Sequence, residues 1–384
     1  MLAPSLPHAE VVSISDAEAI RGEWIDLSRR AVEPNPFYEI DYLAALYRHV
    51  RPKEALHLVL VRDRATRQLD GLFPITVKGA FDGYPGGATV MSYDTLIGQT
   101  VPLIAGSAPA DIWRAFLAFV DKHDDLPPLV HLKEFYADSP CGTALAEACR
   151  EERAIRRREN AFERAVAASD ANFEAYTQRW SRKKARNIRS RAKKLAAAGN
   201  PEFALMVPET PGFAAALGEI LTLEKAGWKG HEGTALASQD DLNTFAREAF
   251  GASRNTPRIA LGTLRLDGRL LAGQINLMAQ KRIYFIKSAY DEGHASFGPG
   301  VALYSEMLRR MLDENMFEKL DSCADGGHPL EEIWLERECV ESVFVATGSP
   351  SNSRAADRLI ALRNGLRKLR DTASSVQKLV TRQD

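Results

Sequence analysis

The chain has 384 residues, of which 45% are hydrophobic and 26% charged, and its formal net charge is −1. This size and composition predict a globular protein with more than one domain, and the balanced charge excludes a globally basic nucleic-acid binder. No stretch reaches the roughly 18 consecutive apolar residues that a membrane-spanning helix needs.

The first half of the chain is predicted to open with a β-hairpin. Apolar runs predict strands at 56–61 and 72–77, and Asp70-Gly71 is predicted to form the turn between them because Asp-Gly pairs adopt positive φ easily. An amphipathic helix at 111–122 and a strand at 129–132 are predicted to follow.

A basic segment connects this half to the next. Residues 176–198 contain no proline or glycine and carry an apolar stripe, which predicts a helix that ends at Gly199. Nine Lys or Arg and no acid lie between Arg179 and Lys194. This run is interpreted either as a solvated helix face or as a contact for a polyanion such as tRNA. Sparse aromatic residues and the lack of an RNA-binding motif disfavour nucleic acid as a partner.

The second half repeats the order of hairpin, helix and strand, after a helix predicted around residues 213–221. The turn is predicted at Asp267-Gly268. The predicted strands and the helix cover 258–264, 270–278, 283–289, 301–315 (the helix) and 317–322. The repetition predicts an α+β fold of two tandem lobes, each a mixed β-sheet flanked by helices.

We place the first lobe at residues 1–165 and the second at 166–348, followed by a linker and a basic tail at 349–384. The tail is predicted to form an amphipathic helix with one cationic face. We expect it to be dispensable for folding and to contact an anionic membrane surface or an acidic partner. The alternative is a helix that packs back onto the second lobe.

The glycine-rich loop at 297–301 lies between a predicted strand and an amphipathic helix. Gly298 and Gly300 allow a ligand to approach the backbone, and a helix start offers unpaired N–H groups at a positive dipole end. This combination suits a pyrophosphate; the alternative is an ordinary strand-to-helix turn. The corresponding first-lobe helix, which follows Gly106, begins at Asp111, whose carboxylate would repel an anion.

The order of several motifs resembles the GNAT-like acetyltransferase domain of bacterial exopolysaccharide-biosynthesis N-acyltransferases, a group related to the Fem-type transferases with their doubled GNAT fold. The resemblance covers about residues 165–345. Its motifs are Gly227-Trp228-Lys229-Gly230, Asp267-Gly268, Ala289-Tyr290-Asp291, Gly298-Pro299-Gly300-Val301-Ala302-Leu303 and Leu320-Asp321. It implies acetyl-CoA or another acyl-CoA as co-substrate, and an amine on a sugar or peptide-like molecule as acceptor.

The resemblance also implies roles for individual residues. Gly298 and Gly300, with Val301 and Ala302 behind them, are the expected cofactor-binding residues, and Asp321 is the acidic residue expected after the next strand. Many relatives then carry a Tyr-Lys pair, which is missing from residues 325–334.

Acylation of an amine needs a group that takes a proton and N–H donors that stabilise the oxyanion. Each candidate base also has a structural alternative, as a turn, cap or loop residue. The candidate bases are Asp321, Asp291, His328 and Glu224. Trp228 would share a helix face with Glu224 and could line an acceptor pocket with Lys229 and Tyr290, or else be an ordinary core residue.

We therefore predict an acyl-CoA-dependent N-acyltransferase acting on an amino-sugar or a lipid-linked saccharide, in exopolysaccharide biosynthesis. One alternative is a Fem-like aminoacyltransferase that uses aminoacyl-tRNA. The other is a non-catalytic binding or regulatory module, which the missing Tyr-Lys pair favours.

Other classes of enzyme lack support. The sequence contains no Ser-His-Asp order, P-loop or dinucleotide-binding GxGxxG, so hydrolases, ATPases and dehydrogenases are disfavoured. The four cysteines follow no zinc-binding spacing and are interpreted as structural, so no metal site is predicted. No secretory-signal pattern is visible at the start. These features predict a cytoplasmic protein, with the tail as a candidate contact to the inner face of the membrane.

Overall fold

The computed structural model describes residues 6–81, 84–152, 154–251 and 257–347, with the single positions 358, 361 and 365. Apart from those three positions, the predicted tail helix lies outside the described residues. The α+β prediction is confirmed: within the described part, one 13-stranded mixed sheet carries the fold, and helices pack against it.

The strands are β1 His8–Ser13, β2 His57–Arg62, β3 Leu69–Phe81, β4 Tyr84–Met91, β5 Leu103–Ile104, β6 Leu129–Phe135, β7 Ile155–Ala167, β8 Pro201–Met206, β9 Arg258–Leu266, β10 Arg269–Ala279, β11 Arg282–Tyr290, β12 Lys319–Asp321 and β13 Glu336–Ala346. The α-helices are α1 Arg21–Arg30, α2 Ile40–Ala45, α3 Pro109–Lys122, α4 Pro140–Glu151, α5 Phe173–Thr177, α6 Arg182–Ala198, α7 Phe213–Ala226, α8 Trp228–His231, α9 Asp240–Ala249 and α10 Pro299–Glu314. None of the described helices is both long and apolar enough to span a bilayer.

The last strand in the chain joins the two halves of the sheet. The strand order is β1-β2-β3-β4-β6-β13-β7-β12-β11-β10-β9-β8, and β5 pairs with β3. Strand β13 is antiparallel to both β6 and β7, so a C-terminal segment completes the sheet begun by the first half. The predicted boundary at residue 165 falls inside β7, and the division into lobes remains a prediction.

The two hairpin turns had different outcomes. The turn at Asp267-Gly268 is confirmed, since both residues have positive φ, 48° and 81°. The turn predicted at Asp70-Gly71 is wrong, because both residues lie inside β3. The chain turns earlier, where the Asp63 side chain accepts the N–H groups of Ala65 and Thr66. Gly71 instead allows helix packing: a Cβ there would lie 2.5 Å from Ile112 Cγ2.

The segment predicted as one helix over 176–198 forms two. Helix α5 ends at Thr177 and α6 begins at Arg182. The Ser181 side chain accepts the N–H of Lys184 and thereby caps the start of α6. The Trp180 indole in the break donates to the Ile333 carbonyl at 2.9 Å. This long-range contact has no signal in the local sequence, so helix propensity alone overestimates the length of the element.

Helices α7 and α10 pack on opposite faces of β10. A Cβ on Gly273 would lie 2.4 Å from Ile220 Cγ1 of α7. The neighbouring residue Gln274 faces the other way, because side chains alternate along a strand. It pairs with Gly262, whose Cβ would lie 3.5 Å from Leu303 Cδ1 of α10. Both helices therefore approach the same part of the sheet.

Strands β11 and β12 separate soon after they pair. Their parallel pairing covers only Arg282–Tyr284 against Lys319–Asp321, where β12 ends. Strand β11 continues to Tyr290. Its pairing with β10 shifts by one residue between Ile275 and Asn276 of β10, so Ile286 of β11 is an extra residue without an opposite partner in the register. Such bulges re-aim a strand and are common beside functional sites. The sheet is thus open along the carboxyl half of β11.

Candidate active site

A pocket of about 590 Å³ lies at this opening. Its walls come from the end of α7, the start of α8, the paired ends of β10 and β11, the start of α10 and the loop after β12. A cavity of this size suits a small molecule or the extended arm of a cofactor.

One end of the pocket offers unpaired backbone N–H groups. Gly298 has φ 61° and ψ 52°, and no side chain caps α10, which follows it. The N–H groups of Gly300 and Val301 lie in the first turn of the helix, where a donor has no intrahelical partner. Arg191 of α6 lies against this loop, since a Cβ on Gly298 would be 2.7 Å from Arg191 Nη1. The helix start and the guanidinium together favour an anionic group.

The opposite wall carries charged side chains. Glu224 is 3% exposed, and its Oε2 accepts the N–H of Leu236 at 2.9 Å. Its Oε1 lies 3.7 Å from Lys229 Nζ and makes no hydrogen bond to any described residue. Lys229 Nζ donates to the Ser288 carbonyl at 2.8 Å. Burial lowers the pKa of Lys229, and Glu224 retains a carboxylate oxygen that can accept a proton from a ligand.

His328 lines the same wall. Burial and the nearby Lys229 ammonium lower the pKa of this imidazole, which favours its neutral form. Its Nδ1 accepts the N–H of Leu330 at 3.2 Å and caps a short 3₁₀ turn. The structural role proposed for His328 therefore holds, and its ring also lies in the pocket.

Two aromatic side chains stand at the pocket with much of their surface in solvent. Trp228 is 50% exposed and Tyr290 is 38% exposed. The backbone N–H of Trp228 donates to Glu292 Oε1 at 2.8 Å. The alternative that Trp228 is a core residue is wrong, because α8 places its ring outside the hydrophobic clusters. Exposed aromatic rings at a pocket suit stacking against the apolar C–H face of a sugar or against a planar group.

Sequence reasoning missed the buried polar residues of the pocket. Tyr304 of α10 shares a hydrogen bond of 2.8 Å with the Ser288 hydroxyl, and burial raises the Tyr304 pKa. Gln274 is 1% exposed on β10. A signal for this face was present, since Gln274 and Asn276 place two amides at alternate positions of a strand that is otherwise apolar.

The comparisons with known proteins agree with this geometry. Residues 182–327 match the family described as acetyltransferase (GNAT) domain. No curated protein matches the chain. The structure is similar to FemX, with a TM-score of 0.57 and 10% identity over 88% of this chain and 98% of that chain.

Two further solved structures are similar to this chain to a lower degree. A conserved protein of unknown function from Bacteroides thetaiotaomicron has a TM-score of 0.50 and 12% identity, over 90% of this chain and 100% of that one. A tandem GNAT protein from the clavulanic acid biosynthesis pathway has a TM-score of 0.40 and 15% identity, over 89% and 99%. The fold of this chain is GNAT-like. The GNAT domain match includes α7, β10, β11 and α10, which build most of the pocket.

Two residues predicted for the GNAT site lie outside the pocket. Asp291 caps a 3₁₀ turn by accepting the N–H of Gly293 at 3.0 Å, and it pairs with Arg269 at 2.7 Å and with His294 at 3.0 Å. Ala302 packs beside the apolar cluster that contains Leu271. Both are adjacent in sequence to pocket residues, but their side chains are engaged elsewhere.

Asp321 was expected to face a cleft, and the structure places it in the interior instead. It is fully buried at the end of β12. Its Oδ2 accepts the Tyr136 hydroxyl at 2.6 Å, and its Oδ1 accepts the N–H of Cys323 at 2.9 Å. Tyr136 also accepts a hydrogen bond from Arg164, whose guanidinium pairs with Glu134 at 2.9 Å. Asp321 thus belongs to a buried network that links the two halves of the sheet.

We expect Asp321→Asn to destabilise the fold more than it slows any reaction in the pocket. Removing one charge from a buried, hydrogen-bonded network should lower the free energy of unfolding by about 3 kcal/mol. Denaturant unfolding and kcat/KM, measured on the same preparation, test this. A folded variant of normal stability that loses tenfold or more in kcat/KM would restore Asp321 as a catalytic candidate.

Proposed function

We propose that the protein is an N-acyltransferase that takes the acyl group from an acyl-CoA and transfers it to an amine. One observation carries the proposal: a single pocket joins a helix start with unpaired N–H groups to a buried carboxylate whose Oε1 makes no hydrogen bond to a described residue and lies 3.7 Å from Lys229 Nζ. The N–H groups of Gly300 and Val301, with Arg191, would hold the diphosphate of the donor. Glu224 lies on the opposite wall, where the amine would react.

The chain offers a group for each proton that such a transfer moves. An acyl-CoA supplies an activated thioester carbonyl, so a C–N bond forms as the C–S bond breaks. Glu224 Oε1 would accept the proton that the attacking amine loses. The Tyr304 hydroxyl, which shares a hydrogen bond of 2.8 Å with the Ser288 hydroxyl, would donate to the oxyanion or to the departing thiolate. Lys229 would keep the Glu224 side chain in place.

For the acceptor we propose an amino sugar, carried on a nucleotide or a lipid and used in exopolysaccharide biosynthesis. The exposed rings of Trp228 and Tyr290 support an acceptor with an apolar C–H face that stacks on them and with polar groups at its rim. We place the reaction in the cytoplasm. The basic tail at 349–384 remains a proposed contact to an anionic membrane surface or an acidic partner.

A second candidate is a Fem-like aminoacyltransferase that takes its acyl group from aminoacyl-tRNA. The exposed cations of α6 favour it, because none of them forms an ion pair with any described residue: Arg182, Lys183, Arg186, Arg189, Lys193 and Lys194. Their neighbour on the same helix, Arg191, lines the pocket. The fold likeness to FemX is compatible with either donor.

Ligand-induced stabilisation separates the candidates. We expect acetyl-CoA at about 100 times its Kd to add about 2.7 kcal/mol to the free energy of unfolding. Free thiol should then appear when amino-sugar nucleotides are added to protein and acetyl-CoA. Stabilisation by charged tRNA alone would favour the second candidate. No response to either donor would indicate a non-catalytic module.

A further inference from the structure

The most unusual buried group in the pocket is the amide of Gln274. The residue is 1% exposed and lines the pocket. Its amide lies beside the Tyr304 hydroxyl, yet neither Nε2 nor Oε1 makes a hydrogen bond of normal geometry to a described residue. The Tyr304 hydroxyl is already paired with Ser288 at 2.8 Å. Gln274 therefore has a buried donor and a buried acceptor for which the described residues supply no partner at normal hydrogen-bond geometry.

Buried amides are almost always hydrogen-bonded in folded proteins, so an unpartnered one calls for an explanation. Methionine has nearly the same length and volume and would leave no polar atom unpaired. The amide therefore gains little from hydrogen bonding in the empty pocket. A ligand that supplies the missing partners explains why this position is polar.

The shape of the site indicates which part of a ligand reaches Gln274. A Cβ on Gly262 would lie 3.1 Å from Gln274 Oε1 and 3.5 Å from Leu303 Cδ1, so the amide occupies a narrow space between β9 and α10. Leu303 is one turn beyond the helix start at Gly300. A narrow space fits an extended chain better than a purine ring. Gln274 lines the same pocket as the helix start at Gly300 and as Glu224.

A carboxamide pairs best with a group that presents C=O and N–H together, which is another amide. Resting on the proposed function, we infer that Gln274 binds an amide of the pantetheine arm and so selects an amide-containing thioester carrier over an aminoacyl ester of a nucleotide. The reaction itself does not involve Gln274, which acts as a specificity-determining residue.

The test uses Gln274→Met with CoA, pantetheine and adenosine 3′,5′-bisphosphate as separate probes. We expect the variant to bind CoA and pantetheine about three- to tenfold more weakly, the effect of one or two lost hydrogen bonds, and to bind the bisphosphate as the wild type does. Its melting temperature should stay the same or rise, since two unpartnered polar atoms are removed. A purely structural role would lower the melting temperature and leave the affinities unchanged.

The matched control is Gln99→Met. Gln99 is 2% exposed, its Oε1 also lacks a partner among the described residues, and its Nε2 donates to the Pro34 carbonyl at 3.1 Å. It is far from the pocket lining, so CoA affinity should be unchanged. A pantetheine analogue with esters in place of amides tests the same contact on the wild-type protein, and we expect it to bind more weakly by a similar factor.

The outcomes are distinct. Equal affinity of wild type and Gln274→Met for CoA and pantetheine would overturn the inference, as would equal affinity of the wild type for the ester analogue. Weaker binding of the bisphosphate alone would assign Gln274 to the nucleotide part of CoA and also overturn the inference. If the wild-type protein binds neither CoA nor pantetheine, the proposed function fails first.

Discussion

Gly300→Glu should reduce acyl-CoA affinity about a hundredfold or more, equivalent to about 2.7 kcal/mol, and leave the fold intact. The nearest atom to a Cβ at this position is Tyr290 Cδ1, at 3.9 Å, so the new side chain has room in the pocket. Its carboxylate would occupy the place expected for the diphosphate. It would also accept hydrogen bonds from the unpaired N–H groups of the helix start. An acid in the first turn also stabilises a helix. The negative charge of the new side chain, rather than steric crowding by its Cβ, should therefore cause the loss of acyl-CoA affinity.

The control is Gly106→Glu in the loop before α3, where no atom lies within 4 Å of the added Cβ. The first turn of α3 already contains Asp111, which pairs with Arg114 at 3.2 Å. We expect calorimetry to give wild-type acetyl-CoA affinity for this variant. Unchanged affinity of the Gly300 variant would remove the diphosphate from α10.

Glu224→Gln should lower kcat by about 10²- to 10⁴-fold, the usual contribution of a positioned general base, with little change in acetyl-CoA affinity. The amide oxygen of glutamine can still accept the N–H of Leu236, which now bonds Glu224 Oε2 at 2.9 Å. The fold should therefore survive. What is lost is the carboxylate oxygen that would accept a proton from the amine under the proposed function.

Glu292→Gln is the matched control. Glu292 lines the same pocket and also accepts a backbone N–H, that of Trp228, at 2.8 Å. Its kcat should stay within a few-fold of the wild-type value. Single-turnover rates for both variants would decide the assignment, because an equal decrease in both would point to a general effect on pocket charge.

Local signals in the sequence predict the elements of the fold well, and long-range pairing is what they miss. The turn at Asp267-Gly268 follows from residues that tolerate positive φ, and α10 follows from its apolar spacing. The insertion of β13 between β6 and β7 leaves no such trace. The close packing of Ile112 against Gly71 leaves no local signal either. The glycine that this packing requires was therefore interpreted as a turn residue.

The candidate site was predictable where function depends on backbone. Gly298 and Gly300 are visible as a glycine-rich loop before an amphipathic helix, and both line the pocket. Carboxylates are harder to assign, because the sequence does not distinguish an acid that accepts hydrogen bonds from backbone N–H groups from one that acts on a ligand. Asp291 caps a turn, Asp321 is fully buried between the halves of the sheet, and of these three predicted acids only Glu224 lines the pocket.

The structure of the protein in complex with CoA is the most direct test of the central claim that this pocket binds the acyl donor. We expect one CoA per chain, with diphosphate oxygens about 2.7–3.2 Å from the N–H groups of Gly300 and Val301. The arm should pass Gln274, and the thiol should end beside Glu224. A CoA bound at the start of α3 in the first half, or anywhere that leaves this pocket empty, would contradict the claim.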